Sequence, residues 1–97
     1  MFSLVGSTAL VTGAGSKNGI GYATAKILCQ MGANVYLSGL TERVLERVKE
    51  LQSDGYQASG SIADLTDEQE VESLLSKVSK SFGGINILVN TPSIFSK

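Results

Sequence analysis

The sequence predicts an α/β fold: a doubly wound parallel sheet of four strands in the order 3-2-1-4, covered by three helices. Two observations carry the prediction. First, short apolar runs alternate with helical patterns in the order β-α-β-α-β-α-β, with short connections. Strands alternating with helices imply parallel pairing through right-handed crossovers. Second, the first apolar run enters a loop with glycines at 13, 15, 19 and 21, and the loop opens into a helix. Strand, glycine loop and helix N-terminus together form a site for a phosphate anion. Unpaired amides of the first turn point at the anion, and the helix dipole adds partial positive charge. In the order 3-2-1-4 that loop falls at the switch point between strands one and four.

Each element follows from its residues. Thr8 to Thr12 is apolar with little alternation, as in a parallel strand covered on both faces. Gly19 to Met31 is helix one, with Ile20, Ala23, Ile27 and Met31 spaced as a buried face and Gly32 as its C′ glycine. Asn34 to Ser38 is strand two. Thr41 can cap helix two, whose apolar positions are Val44, Leu45, Val48 and Leu51. Its other positions, Glu42, Arg43, Glu46, Arg47, Lys49 and Glu50, alternate in sign as on a solvated face. Asp54-Gly55 turns the chain into strand three, Tyr56 to Ser61. Thr66 and Gln69 fit a capping box ahead of helix three, which carries Val71, Leu74, Leu75, Val78 and Phe82 in register. Gly83-Gly84 stops it. Ile85 to Val89 is strand four, Asn90 closes it, and 91–97 reads as a loop or tail around Pro92.

Composition narrows the function classes. The 97 residues make one domain, 1–97. A net charge of −1 with no basic block argues against nucleic acid or an anionic membrane as the main partner. No apolar run approaches the roughly 20 residues of a membrane span. The N-terminus lacks a basic n-region and reads as the lead-in to strand one, not a signal peptide. One cysteine, Cys29, suits a reducing cytosol, so a cytoplasmic location is expected. With no histidine and one cysteine, no metal site is expected, and the commonest general base is missing.

Three motifs resemble one family. Thr12-Gly13-Ala14-Gly15-Ser16-Lys17-Asn18-Gly19-Ile20-Gly21 resembles the T-G-x-x-x-G-I-G loop of the short-chain dehydrogenase/reductases, with two additional residues before Gly19. Ile62-Ala63-Asp64-Leu65 resembles the aspartate signature after strand three, and Ile87-Leu88-Val89-Asn90 the start of L-V-N-N-A-G. The resemblance spans nearly the whole chain. It implies a Rossmann-like fold and a nicotinamide dinucleotide, with Gly13, Gly19, Ile20 and Gly21 at the pyrophosphate. It also implies Asp64 on the adenine with Leu65 beside the ring, Asn90 near the adenosine ribose, and Thr12 tying strands one and four together.

Two departures bear on activity. Thr91-Pro92-Ser93 replaces the family's Asn-Ala-Gly. The catalytic serine and Tyr-x-x-x-Lys lie beyond Lys97 in the family pattern, so no catalytic residue is assigned. Tyr22-Ala-Thr-Ala-Lys26 matches Y-x-x-x-K literally, but it lies within the phosphate-binding helix and reads as chance on a solvated face. The expectation is therefore the NAD(P)-binding half of an oxidoreductase that moves hydride between NAD(P)(H) and a carbonyl or alcohol. The alternatives are a non-catalytic dinucleotide-binding or partner-binding module and a non-functional remnant. A phosphate loop of an S-adenosylmethionine binder would place an acid at the end of strand two, and a nucleoside-triphosphate loop would need G-K-[ST]; neither is present.

The end of strand two selects the dinucleotide. An acid there accepts from a ribose 2′-OH, while an arginine pairs with a 2′-phosphate. Here Gly39 and Leu40 hold those positions. Loss of the acid, with Lys17 in the glycine loop flanked by Ser16 and Asn18, favours NADP(H) over NAD(H); Ser38 and Thr41 could donate, and Arg43 is a second candidate cation. With four strands, strand four is an uncharged edge, Ile87-Leu88-Val89, which invites self-association or a partner chain.

Overall fold

The computed structural model describes residues 3–90, so the expected tail, with Thr91, Pro92 and Ser93, lies outside the described residues. The elements are β1 (Thr8–Thr12), α1 (Ile20–Gln30), β2 (Asn34–Gly39), α2 (Arg43–Ser53), β3 (Ala58–Ile62), α3 (Glu68–Phe82) and β4 (Ile87–Asn90). All pairs are parallel and the sheet order is β3-β2-β1-β4, the predicted topology. Ala9 lies opposite Val35 on one side and Ile87 on the other.

Alternate residues of the strands enter two cores. Ala9, Val11, Val35, Leu37 and Ala58 pack with Ala25 and Cys29 of α1 and Val44, Val48 and Leu51 of α2. Leu10 and Tyr36 pack on the other face with Leu74, Val78 and Phe82 of α3. Coverage of both faces buries all five residues of β1 and explains its lack of polar alternation.

The helix ends are built from glycine. Gly32 (φ 100°) donates to the Cys29 carbonyl at 2.9 Å, and Ala33 donates to the Leu28 carbonyl at 3.1 Å. Gly55 (φ 89°) and Tyr56 repeat the pattern on Gln52 and Leu51, at 2.9 and 3.1 Å. Each pair is a Schellman closure, in which a left-handed residue satisfies the last carbonyls.

The structure corrects several local expectations. Helix one starts at Ile20 and does not bury the predicted face: Ile20 is 78% exposed and Ile27 56%, while Gly21, Tyr22, Ala25 and Cys29 face the protein. Both stripes have helical spacing; the one with small residues wins because it brings the helix close to the sheet. Arg47 is buried, unlike the rest of its expected solvated face, because its stem and guanidinium cover the Tyr22 ring at 5.6 Å. Leu45 and Leu75 lie at the margins of their helix faces and are exposed. Strand two runs to Gly39, strand three is shifted to Ala58–Ile62, and strand four begins at Ile87. Strand four starts late because Asn86 is occupied ahead of it, donating its N–H to the Thr8 carbonyl and accepting the Thr8 N–H on its side chain, both at 2.9 Å.

Helix three is not capped by a Thr66–Gln69 box. The Thr66 hydroxyl donates to Asp64 Oδ1 at 2.7 Å, and Asp67 becomes the N-cap, accepting the Gln69 N–H at 2.9 Å. A carboxylate two residues before the threonine has captured its hydroxyl, and aspartate is itself a strong N-cap. Helix two, by contrast, starts without a side-chain cap on its N-cap residue, Glu42; the Thr41 hydroxyl accepts the Arg43 N–H at 3.3 Å.

Gly60 shows how tightly α2 lies on the sheet. A Cβ there would fall 2.6 Å from Val48 Cγ2 and 2.8 Å from the Leu37 carbonyl oxygen. Backbone on one side leaves no room to yield. Gly60→Ala is therefore expected to cost about 1–3 kcal/mol, read as a lower urea midpoint with unchanged slope; an unchanged midpoint would refute this packing.

Candidate functional site

All four strands end on one side of the sheet, at Thr12, Gly39, Ile62 and Asn90. There a cleft of about 190 Å³ opens between β1, β2, β4 and the chain leaving β3. It brings together Gly13, Ser38, Gly39, Leu40, Asp64, Leu65 and Asn90 of the sequence-derived set, with Thr12 beside them. Ala63 and Thr66 also line it and were not singled out as binding residues; their place follows from the Asp64 turn, which nothing in residue type alone announces. Leu40 and Leu65, 58% and 41% exposed, frame an apolar mouth.

Backbone contacts hold this rim. Gly13 turns the chain out of β1 at φ 67°, and the buried Ala14 donates its N–H to the Ser38 carbonyl at 3.1 Å. The loop after β1 is thereby tied to the end of β2. Ala63 donates to the Gly39 carbonyl at 2.9 Å and ties the chain after β3 to the same point. The Thr12 hydroxyl donates to Asn90 Oδ1 at 2.7 Å and approaches the Val89 carbonyl at 3.5 Å, joining β1 to β4 above their last ladder bonds.

Ser16, Lys17, Asn18, Gly19, Ile20 and Gly21 do not line the cleft. Ser16 to Gly19 form a turn in which the Ser16 carbonyl accepts the Gly19 N–H at 3.1 Å, and Ser16, Lys17 and Asn18 are exposed. Gly19 is the N-cap of α1, its backbone extended, with no side-chain cap; no acid occupies the first turn. Helix starts usually satisfy their first amides with a side-chain oxygen. This one leaves them for another acceptor, with the positive end of the dipole behind them.

Two polar groups in the cleft differ in state. Asp64 is half-buried, and the Thr66 hydroxyl and N–H, at 2.7 and 3.0 Å, hold its carboxyl below the usual carboxylate range. Its own N–H donates to Glu70 Oε1 at 2.7 Å. Ser38 is 1% exposed and its Oγ has no hydrogen-bond partner among the described residues. A buried hydroxyl without a partner costs about 1–3 kcal/mol, and this one stands in the cleft wall. Being buried, Ser38 does not stand on the outer surface with Lys17 as a phosphate donor.

Tyr22, just inside α1, is a buried core residue and does not sit on a solvated face as the sequence reading had it; Lys26 is exposed. Arg47 covers the ring and pairs with Glu50 at 2.8 Å and Glu46 at 3.5 Å, fixing the first turn of α1 against α2.

The central β1, the order β3-β2-β1-β4 and a glycine loop at the β1–β4 divide define a Rossmann-like fold. Residues 7–97 match the family profile described as short chain dehydrogenase, and the chain belongs to that family. It is 45% identical over 91 residues to a tropinone reductase homolog of Arabidopsis thaliana, covering 92% of this chain and 34% of the relative. A short chain dehydrogenase from Mycobacterium smegmatis superposes with a TM-score of 0.89 at 29% identity, covering 97% of this chain and 40% of that one. An actinorhodin polyketide ketoreductase, solved with NADPH, superposes with a TM-score of 0.82 at 35% identity, covering 88% and 32%. The chain thus spans about a third of the length of the relatives it matches. No helix among the described residues is long and apolar enough to cross a membrane.

Burial first, then the Glu50 carboxylate, pushes the Tyr22 phenol from its ordinary 10.0 up to about 12. The folded state therefore favours the neutral phenol, and stability is expected to fall as pH rises from about 10 through about 12. Urea midpoints measured across that range should decline in the parent chain and decline less in Tyr22→Phe. Equal slopes would remove Tyr22 as the titrating group.

Proposed function

We propose that the chain binds a nicotinamide dinucleotide and forms the cofactor-binding part of an oxidoreductase acting on a carbonyl or alcohol. The observation that carries this is the uncapped, acid-free start of α1 behind the glycine loop, at the divide between β1 and β4. The residues fit the cofactor: a framed cleft with an unpartnered Ser38 hydroxyl lies on one side of the loop and exposed amides on the other. When bound, the cofactor supplies or takes up the hydride.

The chain's own residues have binding roles. Amides of Gly13, Ile20 and Gly21 hold the diphosphate, with Gly19, whose own N–H is spent on the Ser16 carbonyl, turning the loop beside it, and the dipole of α1 lowers the energy of its charge. Leu40 and Leu65 enclose the flat adenine, and Asp64, kept ionised and oriented by Thr66, accepts from its amine. Asn90, fixed by the Thr12 hydroxyl, lies on the ribose side. Lys17, with Ser16 and Asn18, stands where an added 2′-phosphate is attracted, which supports NADP(H) over NAD(H). Hydride transfer also needs a proton donor at the substrate, and none is assigned within these 97 residues. Binding without turnover is the expected behaviour of this length of chain. A cytosolic setting agrees with a buried Cys29 whose thiol burial pushes up to about 11, out of the reactive range.

A second reading concerns assembly. Among the described residues β4 is an edge strand, and Leu88 on it is 64% exposed. Such an edge supports self-association or pairing with another chain.

Calorimetric titration with NADPH and NADH tests the main reading. Both should bind below about 1 mM, NADPH more tightly, and Lys17→Ala should narrow the ratio about two- to fivefold. No binding of either would overturn the cofactor assignment; an unchanged ratio would remove Lys17 from it. Light scattering over a concentration series tests the edge: Leu88→Lys should lower the mean mass, and equal masses for parent and variant would exclude β4 as the contact.

A further inference from the structure

Three neighbours hold Asp64. Its Oδ1 accepts both the Thr66 hydroxyl and the Thr66 N–H, at 2.7 and 3.0 Å. Its carbonyl accepts the Asp67 N–H at 3.1 Å. Its own N–H donates to Glu70 Oε1 at 2.7 Å. The last bond is the unusual one. A glutamate at the third position of a helix ordinarily reaches back to the N–H of the N-cap residue. In α3 that residue is Asp67, whose N–H is already spent on the Asp64 carbonyl. Glu70 reaches past it to the Asp64 N–H, and its charge strengthens the bond made there.

These bonds leave one oxygen of Asp64 open. Oδ1 has two donors, and Oδ2 has no hydrogen-bond partner among the described residues. Asp64, Leu65 and Thr66 line the cleft, whereas Glu70 lines a separate groove behind the turn with Ser61, Ser73 and Lys77. Glu70 therefore acts on the cleft only through the Asp64 amide. Charge decides what the free oxygen takes. Asp64, Asp67, Glu68 and Glu70 put four carboxylates within seven residues, which repel an anion and suit a neutral hydrogen-bond donor. The exocyclic amine of a purine is such a donor. A ring carbonyl in its place would set two acceptors face to face.

We propose that Glu70 is a positioning residue for base recognition: by fixing the Asp64 main chain it aims Oδ2 so that the cleft takes a 6-amino purine and rejects a 6-oxo purine. The role rests on the dinucleotide reading above, with the adenine at Asp64. Thr66 fixes the carboxylate relative to its own backbone, and Glu70 fixes that backbone relative to α3. A site built around one hydrogen bond rejects the analogue that lacks it, because its own polar group is left unpaired. The discrimination is sharp only while that group is held in place before the ligand arrives.

The test is calorimetry on the 97-residue chain with ADP and inosine 5′-diphosphate, which differ at position 6 of the purine. ADP should bind the parent chain at least about tenfold more tightly. Glu70→Ala and Glu70→Thr, whose side chains do not reach the amide, should bring the ratio to within about twofold by weakening ADP alone. Glu70→Gln keeps an acceptor oxygen at the same reach and should keep most of the ratio. Asp67→Ala removes the side-chain N-cap of α3 and leaves the Asp64 bonds, so it should lower the urea midpoint and keep the ratio. Circular dichroism checks that each variant is folded. A ratio that survives Glu70→Ala and Glu70→Thr, that Glu70→Gln also loses, or that Asp67→Ala removes overturns the role of Glu70 while the dinucleotide reading stands. A parent chain that binds both probes equally overturns base selection by Asp64, and the role of Glu70 with it. Binding of neither probe overturns the dinucleotide reading itself.

Discussion

The burial of β1 on both faces is the constraint on which the structure depends. Five consecutive buried residues in a strand require a central place in the sheet, with a neighbour on each side and helices above and below. Parallel pairing to β2 and β4 then places both neighbours' carboxyl ends level with Thr12. The loop that follows must leave the sheet where those two strands part. A ligand position is thereby set by backbone topology before any side chain is chosen.

Side chains refine that position by small contacts. The Thr12–Asn90 bond closes the β1–β4 side, and the Ala14–Ser38 and Ala63–Gly39 bonds close the β2 side. Three strand ends and the loop become one frame. Asp64 cannot swing freely, because Thr66 holds its carboxylate and Glu70 holds its amide. The Tyr22–Arg47 stack sets the angle at which α1 enters the frame. Main-chain bonds thus set most of the cleft rim, and the side chains of Thr12, Asp64, Thr66 and Asn90 that line it also hold one another in place.

The sheet order and the three motifs were legible because each rests on local pattern: a buried apolar run, a glycine spacing, an aspartate after a strand. What could not be read was which of two patterns would win. Helix one offers a bulky stripe through Ile20 and Ile27 and a small one through Gly21, Ala25 and Cys29, and hydrophobicity alone prefers the bulky one. The sheet selected the small stripe by distance of approach. Arg47 read as solvated because charge was counted, whereas its long apolar stem and planar head suit a buried aromatic face. The Thr66 box failed for a similar reason: Asp64 took the Thr66 hydroxyl and N–H, and Asp67 took the Gln69 N–H. Ser38 was legible as a residue at the end of strand two but not as an unpaired one, since pairing depends on neighbours distant in sequence.

The matching closures at Gly32 and Gly55 have a mechanical consequence. Both sit on the side of the sheet away from the cleft, and each hands its helix to the next strand within a few residues through bonds that leave no slack. At the opposite side the chain crosses from β1 to α1 through seven residues, Gly13 to Gly19. Stiffness is therefore graded across the molecule. Amides near the two tight returns should exchange with solvent only through large openings, while those of the turn from Ser16 to Gly19 in the long crossing open by local fluctuation, giving that turn freedom to adapt while the strand ends stay fixed.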